Sequence, residues 1–205
     1  MNNFFSTEGR FFQLITKICS SVWLNILWFV CCIPIFTIGA ATTSLYYVSL
    51  KLVKNEEGNI TKQFFRTFKD SFKQSTIIWG ILLAIGLILG TDSYVLYHIH
   101  SENVFWTICT ALLIAVIIVY LIVILNIFPL LARFENTIRA MFFNSFAMGV
   151  RYLFGSIIMA VVHFAVYYII IFIFTPLIIF GQGLIALICS WLISPVLEKI
   201  EQNTN

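Results

Sequence analysis

Four long stretches that carry almost no charge dominate this chain of 205 residues. A helix needs roughly 20 residues, at about 1.5 Å of rise per residue, to cross a hydrocarbon layer of about 30 Å. Inside lipid only helices and closed barrels satisfy the backbone, and these stretches lack the two-residue alternation of a barrel strand. We therefore predict an all-α, polytopic helical membrane protein with a single membrane domain. The four stretches lie near residues 74–97, 104–132, 152–174 and 177–197.

Composition points to the same class of protein. The chain is 60% apolar and 10% charged, whereas about a quarter of the residues of an ordinary soluble protein are charged. The net charge of +3 is small and forms no basic domain, so we expect no nucleic-acid partner.

The N-terminal third has three interpretations. The apolar run from Cys19 to Ile33 is short, and Pro34, which disfavours helix at the residue before it, follows directly. Length favours one broken span near residues 19–40, which would make five spans in all, and this is our prediction. Charge favours a tight hairpin of two short helices that keeps Arg10 and Lys17 on the side of the other basic residues. A cleaved signal peptide ending near Ala41 is the third, weakest interpretation, because the apolar region begins far from Met1.

Basic residues are distributed unevenly between the connections. Residues 51–73 hold six of the twelve Lys and Arg residues and residues 133–151 hold three, whereas residues 92–103 hold none. The positive-inside rule places the basic connections in the cytoplasm. With Lys199 in the tail, we predict a cytoplasmic C-terminus.

Residues 61–73 form the clearest amphipathic segment. At 100° per residue its cations fall within about 60° of one another, and its rings cluster on a different flank. We predict an interfacial helix lying on the anionic inner leaflet, rings toward the lipid, where it either fixes orientation or docks a cytoplasmic partner. The residues of this predicted docking surface are Lys62, Arg66, Lys69, Lys73, Phe64, Phe65, Phe68 and Phe72.

Signatures of catalysis or cofactor binding are weak or missing in the sequence. It contains no phosphate-binding loop, nucleophile elbow or HExxH motif, so we predict a protein that is not an enzyme and takes no cofactor. The five cysteines lie in apolar segments and suggest packing rather than disulfides. His98 and His100, near Asp92 and Glu102, have metal-ligand types, but a solvated polar loop is the better interpretation.

Three polar residues embedded in apolar runs are candidates for an intramembrane site: His163, Asn126 and Gln182. An ionisable group within a span needs a partner or a watery cavity. Hydrogen bonding between helices is the simpler interpretation, and a proton or substrate site is the functional one.

Two motifs carry a resemblance to a known family. The stretch P-x-x-T-I-G-A-A-T from Pro34 to Thr42 and the stretch FPLLARF from Phe128 to Phe134 resemble the YesL-like family of bacterial membrane proteins, a domain of unknown function. The resemblance covers nearly the whole chain. It supplies no catalytic or binding residues.

What the resemblance implies about function is an association with sugar uptake, because family members often accompany genes for carbohydrate import and polysaccharide breakdown. We therefore expect an accessory or regulatory protein of the bacterial plasma membrane that contacts the permease of an ABC-type sugar transporter. The alternative is a small permease or channel subunit that moves a solute itself.

Overall fold

The computed structural model describes residues 10–56, 58–98, 104–172 and 178–202, with the backbone alone for residues 10–14 and 178–180. Seven α-helices and no strand occur in these ranges, which confirms the predicted all-α polytopic fold. The helices are α1 (Arg10–Cys31), α2 (Ile38–Lys54), α3 (Ile60–His98), α4 (Val104–Arg133), α5 (Ile138–Arg151), α6 (Leu153–Phe172) and α7 (Ile178–Gln202).

Helices α1 and α2 form an antiparallel hairpin, so the predicted single span over residues 19–40 is wrong. Near the open end of the hairpin the Lys17 Nζ donates to the carbonyl of Val53 at 3.4 Å. Near its turn the Trp28 Nε1 donates to the Thr42 Oγ1 at 3.1 Å. The interpretation that charge favoured is therefore the correct one, and both ends of this hairpin lie on the same side of the molecule.

The reversal is built around Pro34. Its backbone is extended, with φ −79° and ψ 121°, and a short 3-10 turn over Ile35–Thr37 leads into α2. The Thr37 hydroxyl lies within hydrogen-bond distance of two carbonyls and can donate to either, that of Cys31 at 2.5 Å or that of Pro34 at 2.6 Å. The contact with Cys31 gives a partner to one of the carbonyls that the end of α1 leaves open.

Helix α2 is the centre of the bundle and packs against α1, α3, α4 and α7. Its buried residues include the small, hydroxyl-rich run from Gly39 to Ser44. The hydroxyls of Thr43 and Ser44 donate to carbonyls one turn back, at 2.9 Å each, so these polar groups are satisfied inside the protein. Because these buried side chains are small, the neighbouring helices can approach α2 closely.

Helix α3 is continuous over 39 residues, about 58 Å. The predicted interfacial helix 61–73 is therefore not a separate element but the first third of α3, since nothing between residue 61 and residue 97 breaks the helix. Phe64 is fully buried in the protein, and its ring stacks on that of Phe68 with centroids 6.4 Å apart. The prediction that these rings all face lipid is thus wrong for Phe64.

Helices α3 and α4 run antiparallel, and their distal halves extend with little cover. The Tyr120 hydroxyl of α4 donates to the Leu82 carbonyl of α3 at 3.1 Å. Beyond that contact, over residues 83–98 and 104–119, every described side chain is exposed or half-buried. We call these two segments the distal hairpin. Its apolar surface suits contact with lipid or with another membrane helix.

Helix α5 was not predicted, because residues 133–151 were interpreted as a basic loop. It begins at Thr137, whose hydroxyl accepts from the Ala140 amide at 3.4 Å as an N-cap. It then turns back along α4, so that Gly149 lies against Ile122 and Asn126. Helix α6 follows after a kink at Tyr152, and α7 runs antiparallel to α6.

Ion pairs gather at one end of the bundle. Lys54 at the end of α2 pairs with Glu198 of α7 at 2.6 Å. Arg133 at the end of α4 pairs with Glu201 of α7 at 2.7 Å. Lys17 lies at this end too, and we call this end of the bundle the basic end.

In the described ranges four helices, α3, α4, α6 and the part of α7 from Gly181, are long and apolar enough to cross a membrane.

Candidate polar site between helices α2, α6 and α7

His163 lies on α6 and is half-buried against α7. Its Nδ1 is 2.8 Å from the Met159 carbonyl one turn back, a contact in which the ring nitrogen donates. In a neutral imidazole the Nε2 then carries the lone pair. That nitrogen has no hydrogen-bond partner among the described residues, so it is an acceptor open to a further donor.

Tyr167 links His163 to Gln182, two of the three residues predicted to form a polar site. The Tyr167 hydroxyl donates to the Gln182 Oε1 at 2.7 Å. Its ring centroid is 6.3 Å from that of His163. The two predicted residues therefore belong to one polar chain, although they do not touch each other directly.

Cys189 and Tyr46 extend this chain into the core. The Cys189 Sγ of α7 is 3.9 Å from the His163 Nδ1, and Tyr46 of α2 lies near the same thiol. Both residues are buried. We call the five residues His163, Tyr167, Gln182, Cys189 and Tyr46 the polar chain. Sequence analysis missed Tyr46 and Cys189, because a tyrosine and a cysteine in apolar runs are indistinguishable from packing residues.

Asn126 lies apart from the polar chain. Its Nδ2 donates to the Ile122 carbonyl at 2.8 Å and to the Ser156 Oγ at 3.0 Å. This bond ties α4 to α6, and the Ser156 hydroxyl in turn donates to the Gly149 carbonyl of α5 at 3.3 Å. The structure thus places Asn126 at a junction of three helices, where its Nδ2 donates to two packing partners.

A groove of about 370 Å³ opens beside the polar chain, between α1 and the α6–α7 pair. Tyr167 and Gln182 form part of its wall. The opposite wall is aromatic and apolar, and the ring of Trp28 is held there by its bond to Thr42. The groove can therefore take an amphipathic molecule with hydroxyl or amide groups. The lining residues are Trp28, Phe29, Cys32, Ile33, Tyr167, Ile170 and Gln182.

A second buried polar contact joins α1 to α7. Asn25 is fully buried, and its Oδ1 accepts from the Gly183 amide at 2.8 Å. The neighbouring Ser21 hydroxyl is buried without a hydrogen-bond partner in the described part of the chain. A Cβ on Gly183 would meet the Ser21 carbonyl and lie 3.0 Å from the Asn25 Cβ. An isolated asparagine in an apolar run was the signal that sequence analysis did not use here.

The predicted docking surface on α3 is divided by the fold. Its four cations are exposed, and among the described residues only Arg66 of these four forms an ion pair, with Asp70 at 3.7 Å. Of the rings, Phe65 is exposed, Phe68 and Phe72 are half-buried and Phe64 is in the core. A cationic row remains available, while most of the apolar half supports the protein's own packing.

Metal-ligand types do not converge in the described ranges, where no group of three or more His, Cys, Asp or Glu side chains is close enough to hold an ion. His100 and Glu102 of the predicted polar loop lie outside these ranges. The described cysteines are all free thiols, and only Cys189 is buried. The packing interpretation of the cysteines therefore fails for Cys19, which is exposed.

Comparison with known proteins agrees with the motifs. Residues 21–93 match the family described as "Protein of unknown function, DUF624". The chain is 24% identical over 194 residues to the uncharacterized protein YesL of Bacillus subtilis (strain 168), covering 91% of this chain and 89% of that protein. It is also 24% identical over 202 residues to the uncharacterized protein YteU of the same organism, covering 95% of this chain and 88% of that protein.

No solved structure matches the chain. The matched region begins in α1 and ends in the distal half of α3, so it includes the turn between α1 and α2 and the whole of α2. The chain is therefore similar over nearly its whole length to two YesL-like proteins, and residues 21–93 match a family of unknown function.

Proposed function

We propose that this protein is a multi-pass protein of the bacterial plasma membrane that assists or regulates carbohydrate uptake by contacting a membrane-embedded permease. The observation that carries the proposal is the distal hairpin, whose two apolar segments have no buried side chain among their described residues. The sugar-import context rests on the family resemblance. The protein acts in this proposal through contact and not through chemistry of its own.

Glycines on α3 distinguish a free helix face from a packed one. A Cβ placed on Gly80 or Gly90 would meet nothing within 4 Å, whereas one placed on Gly86 would meet the Tyr120 hydroxyl at 2.8 Å. Gly80 and Ala84 are both exposed and stand four residues apart, the spacing that lets a second membrane helix approach closely. This face is suited to a helix of the permease.

Sidedness follows in the proposal from the basic end. Lys17, Lys54 and Arg133 lie there, and positive residues favour the cytoplasmic side of a span. The C-terminus, at the end of α7, is placed in the cytoplasm by the same argument. The distal hairpin then reaches the outer leaflet.

Site-specific photo-crosslinking tests the contact. A photoreactive residue replaces Ile88 in the distal hairpin, and a matched one replaces Ile171 on α6, since both side chains are well exposed, at 60% and 67%. We expect Ile88, and not Ile171, to crosslink to a component of a sugar transporter in native membranes. Equal crosslinking at both positions, or crosslinks only to lipid, would refute the proposed contact.

The alternative, a permease subunit that moves a solute itself, is favoured by the polar chain. The open Nε2 of His163 and the bonded pair of Tyr167 and Gln182 give the groove hydrogen-bonding groups in an apolar setting. Sugar flux into proteoliposomes that contain only this chain, lost in His163→Ala but kept in Asn126→Ala, would favour this alternative. Absence of flux across a panel of sugars would exclude it for those solutes.

A further inference from the structure

We propose that a cleft at the basic end binds the headgroup phosphate of an anionic phospholipid, with Arg151 as the cationic ligand. The cleft measures about 380 Å³ and lies between the ends of α4 and α7 and one face of α5. Its wall carries the polar side chains of Asn136, Asn144 and Arg151, and Leu130, Phe134 and Met148 supply apolar surface. A site with this division fits an amphiphile that has a charged head and a hydrocarbon chain.

The charge of Arg151 is available to an anionic ligand, because the acidic residues nearby on α7 pair with other cations. Two acidic residues of α7 are already paired, Glu198 with Lys54 and Glu201 with Arg133. Arg151 forms no ion pair with any residue that the structure describes. Its guanidinium lies 5.9 Å from the centroid of the Tyr152 ring, which orients it beside the cleft. A guanidinium recognises phosphate oxygens through paired N–H donors.

Amide groups of the wall add neutral donors. The Asn136 carbonyl accepts from the Gln74 Nε2 at 2.6 Å, so α3 fixes the backbone of the connection after α4. The side chains of Asn136 and Asn144 both line the cleft. Basic pockets between membrane helices on the cytoplasmic side bind anionic headgroups, and a phosphate in this cleft would meet one cation and two amides.

The position of α5 favours a lipid over a soluble anion. On a flank distinct from the cleft, α5 exposes Phe143, Phe146 and Val150, while Met141 and Met148 are buried in the bundle. Exposed rings at i and i+3 next to arginines are typical of a helix lying at the membrane interface. The cleft on the polar side of such a helix lies at headgroup depth, where a phospholipid supplies the phosphate.

Native mass spectrometry of the full chain in mild detergent, titrated with phosphatidylglycerol or phosphatidylcholine, tests the proposal. We expect the protein to prefer phosphatidylglycerol and Arg151→Gln to weaken its binding about tenfold, the loss of one charge-assisted contact. Arg139→Gln is the matched control, because Arg139 is an exposed arginine of the same helix that does not line the cleft. We expect this control to change binding less than about twofold, within the range of a diffuse surface charge.

Equal weakening in both variants would show diffuse attraction and overturn the site, as would equal binding of the two lipids by the wild type. Competition by glycerol 3-phosphate as strong as that by phosphatidylglycerol would show that phosphate alone is the ligand, which overturns the assignment to a lipid. The unfolding midpoint of Arg151→Gln without added lipid should match that of the wild type. If it does not, Asn144→Leu removes an amide from the same wall and should also weaken binding; unchanged binding in that variant would refute the site.

Discussion

Replacing Gly39 by alanine should push α2 and α3 apart. An alanine Cβ at this position would press on the carbonyl oxygen of Ser75 and lie 2.7 Å from the Cβ of Trp79, both on α3. Neither atom is the end of a flexible side chain, so relief requires a shift of α2 against α3. The buried hydrogen bond between Thr43 and Ser75, 3.0 Å long and one turn away, would lengthen with that shift.

The change in the free energy of unfolding is the sum of two destabilising effects and one stabilising effect. Overpacking a well-packed interior costs about 1–3 kcal/mol, and a weakened hydrogen bond between membrane helices adds roughly 0.6 kcal/mol. Alanine returns up to about 1 kcal/mol through its higher helix propensity. Gly80→Ala brings the same propensity gain without the clash, because nothing lies within 4 Å of the added Cβ. The propensity gain cancels between the two variants, so we expect the free energy of unfolding of Gly39→Ala to lie about 1.6–3.6 kcal/mol below that of Gly80→Ala.

Unfolding of both variants in mixed micelles with increasing sodium dodecyl sulfate, followed by circular dichroism, measures this difference. The comparison between two variants cancels effects of the detergent on helix propensity. Coincident transitions for Gly39→Ala and Gly80→Ala would refute the close approach of α2 and α3 at Gly39. Two transitions in Gly39→Ala would instead show that the bundle no longer unfolds as one unit.

Three further outcomes are expected from the same structure. Gly183→Ala should lower the free energy of unfolding by about 1–3 kcal/mol in the same assay, because its Cβ would strike the backbone of α1 at Ser21; an unchanged midpoint would contradict this contact. A double-mutant cycle with Asn126→Ala and Ser156→Ala should give a coupling of about 0.6–1.7 kcal/mol, and additive single effects would show that this bond contributes nothing. Reporter fusions at the two termini should fall on the same side of the membrane, and opposite sides would restore the single broken span.

The span prediction failed where a helix is enclosed by protein. Hydropathy and length located the segments that became α4, α6 and α7, since each of these helices contains an apolar stretch long enough to cross a membrane. Helix α2 is only 17 residues long and contains the polar residues Thr42, Thr43 and Ser44. A rule that asks for about 20 apolar residues in a membrane span therefore does not find it. The charge at Arg10 and Lys17 did favour the hairpin, and it was the better guide because sidedness does not depend on whether a helix touches lipid.

The candidate site was predictable only in part. His163 and Gln182 were visible because polar residues in apolar runs need a partner, yet the link through Tyr167 depends on the antiparallel pairing of α6 and α7. Asn126 carried the same sequence signal and proved to be a packing residue between helices. Sequence alone does not distinguish these two outcomes, since both satisfy the same requirement for a hydrogen bond.

Helix α2 is more buried and less apolar than α4, and this explains why α2 holds the bundle together. In lipid the hydrophobic effect gives no reward for bringing apolar helices into contact, so close packing and hydrogen bonds between helices decide the arrangement. Helix α2 meets this requirement with a glycine against α3, a threonine bonded to Ser75 and another threonine bonded to Trp28. Larger apolar side chains at Gly39, Thr42 or Thr43 would raise the hydropathy of α2 and still separate it from its neighbours. Substitutions that enlarge these small residues should therefore destabilise the fold more than polar changes on the exposed faces of α4.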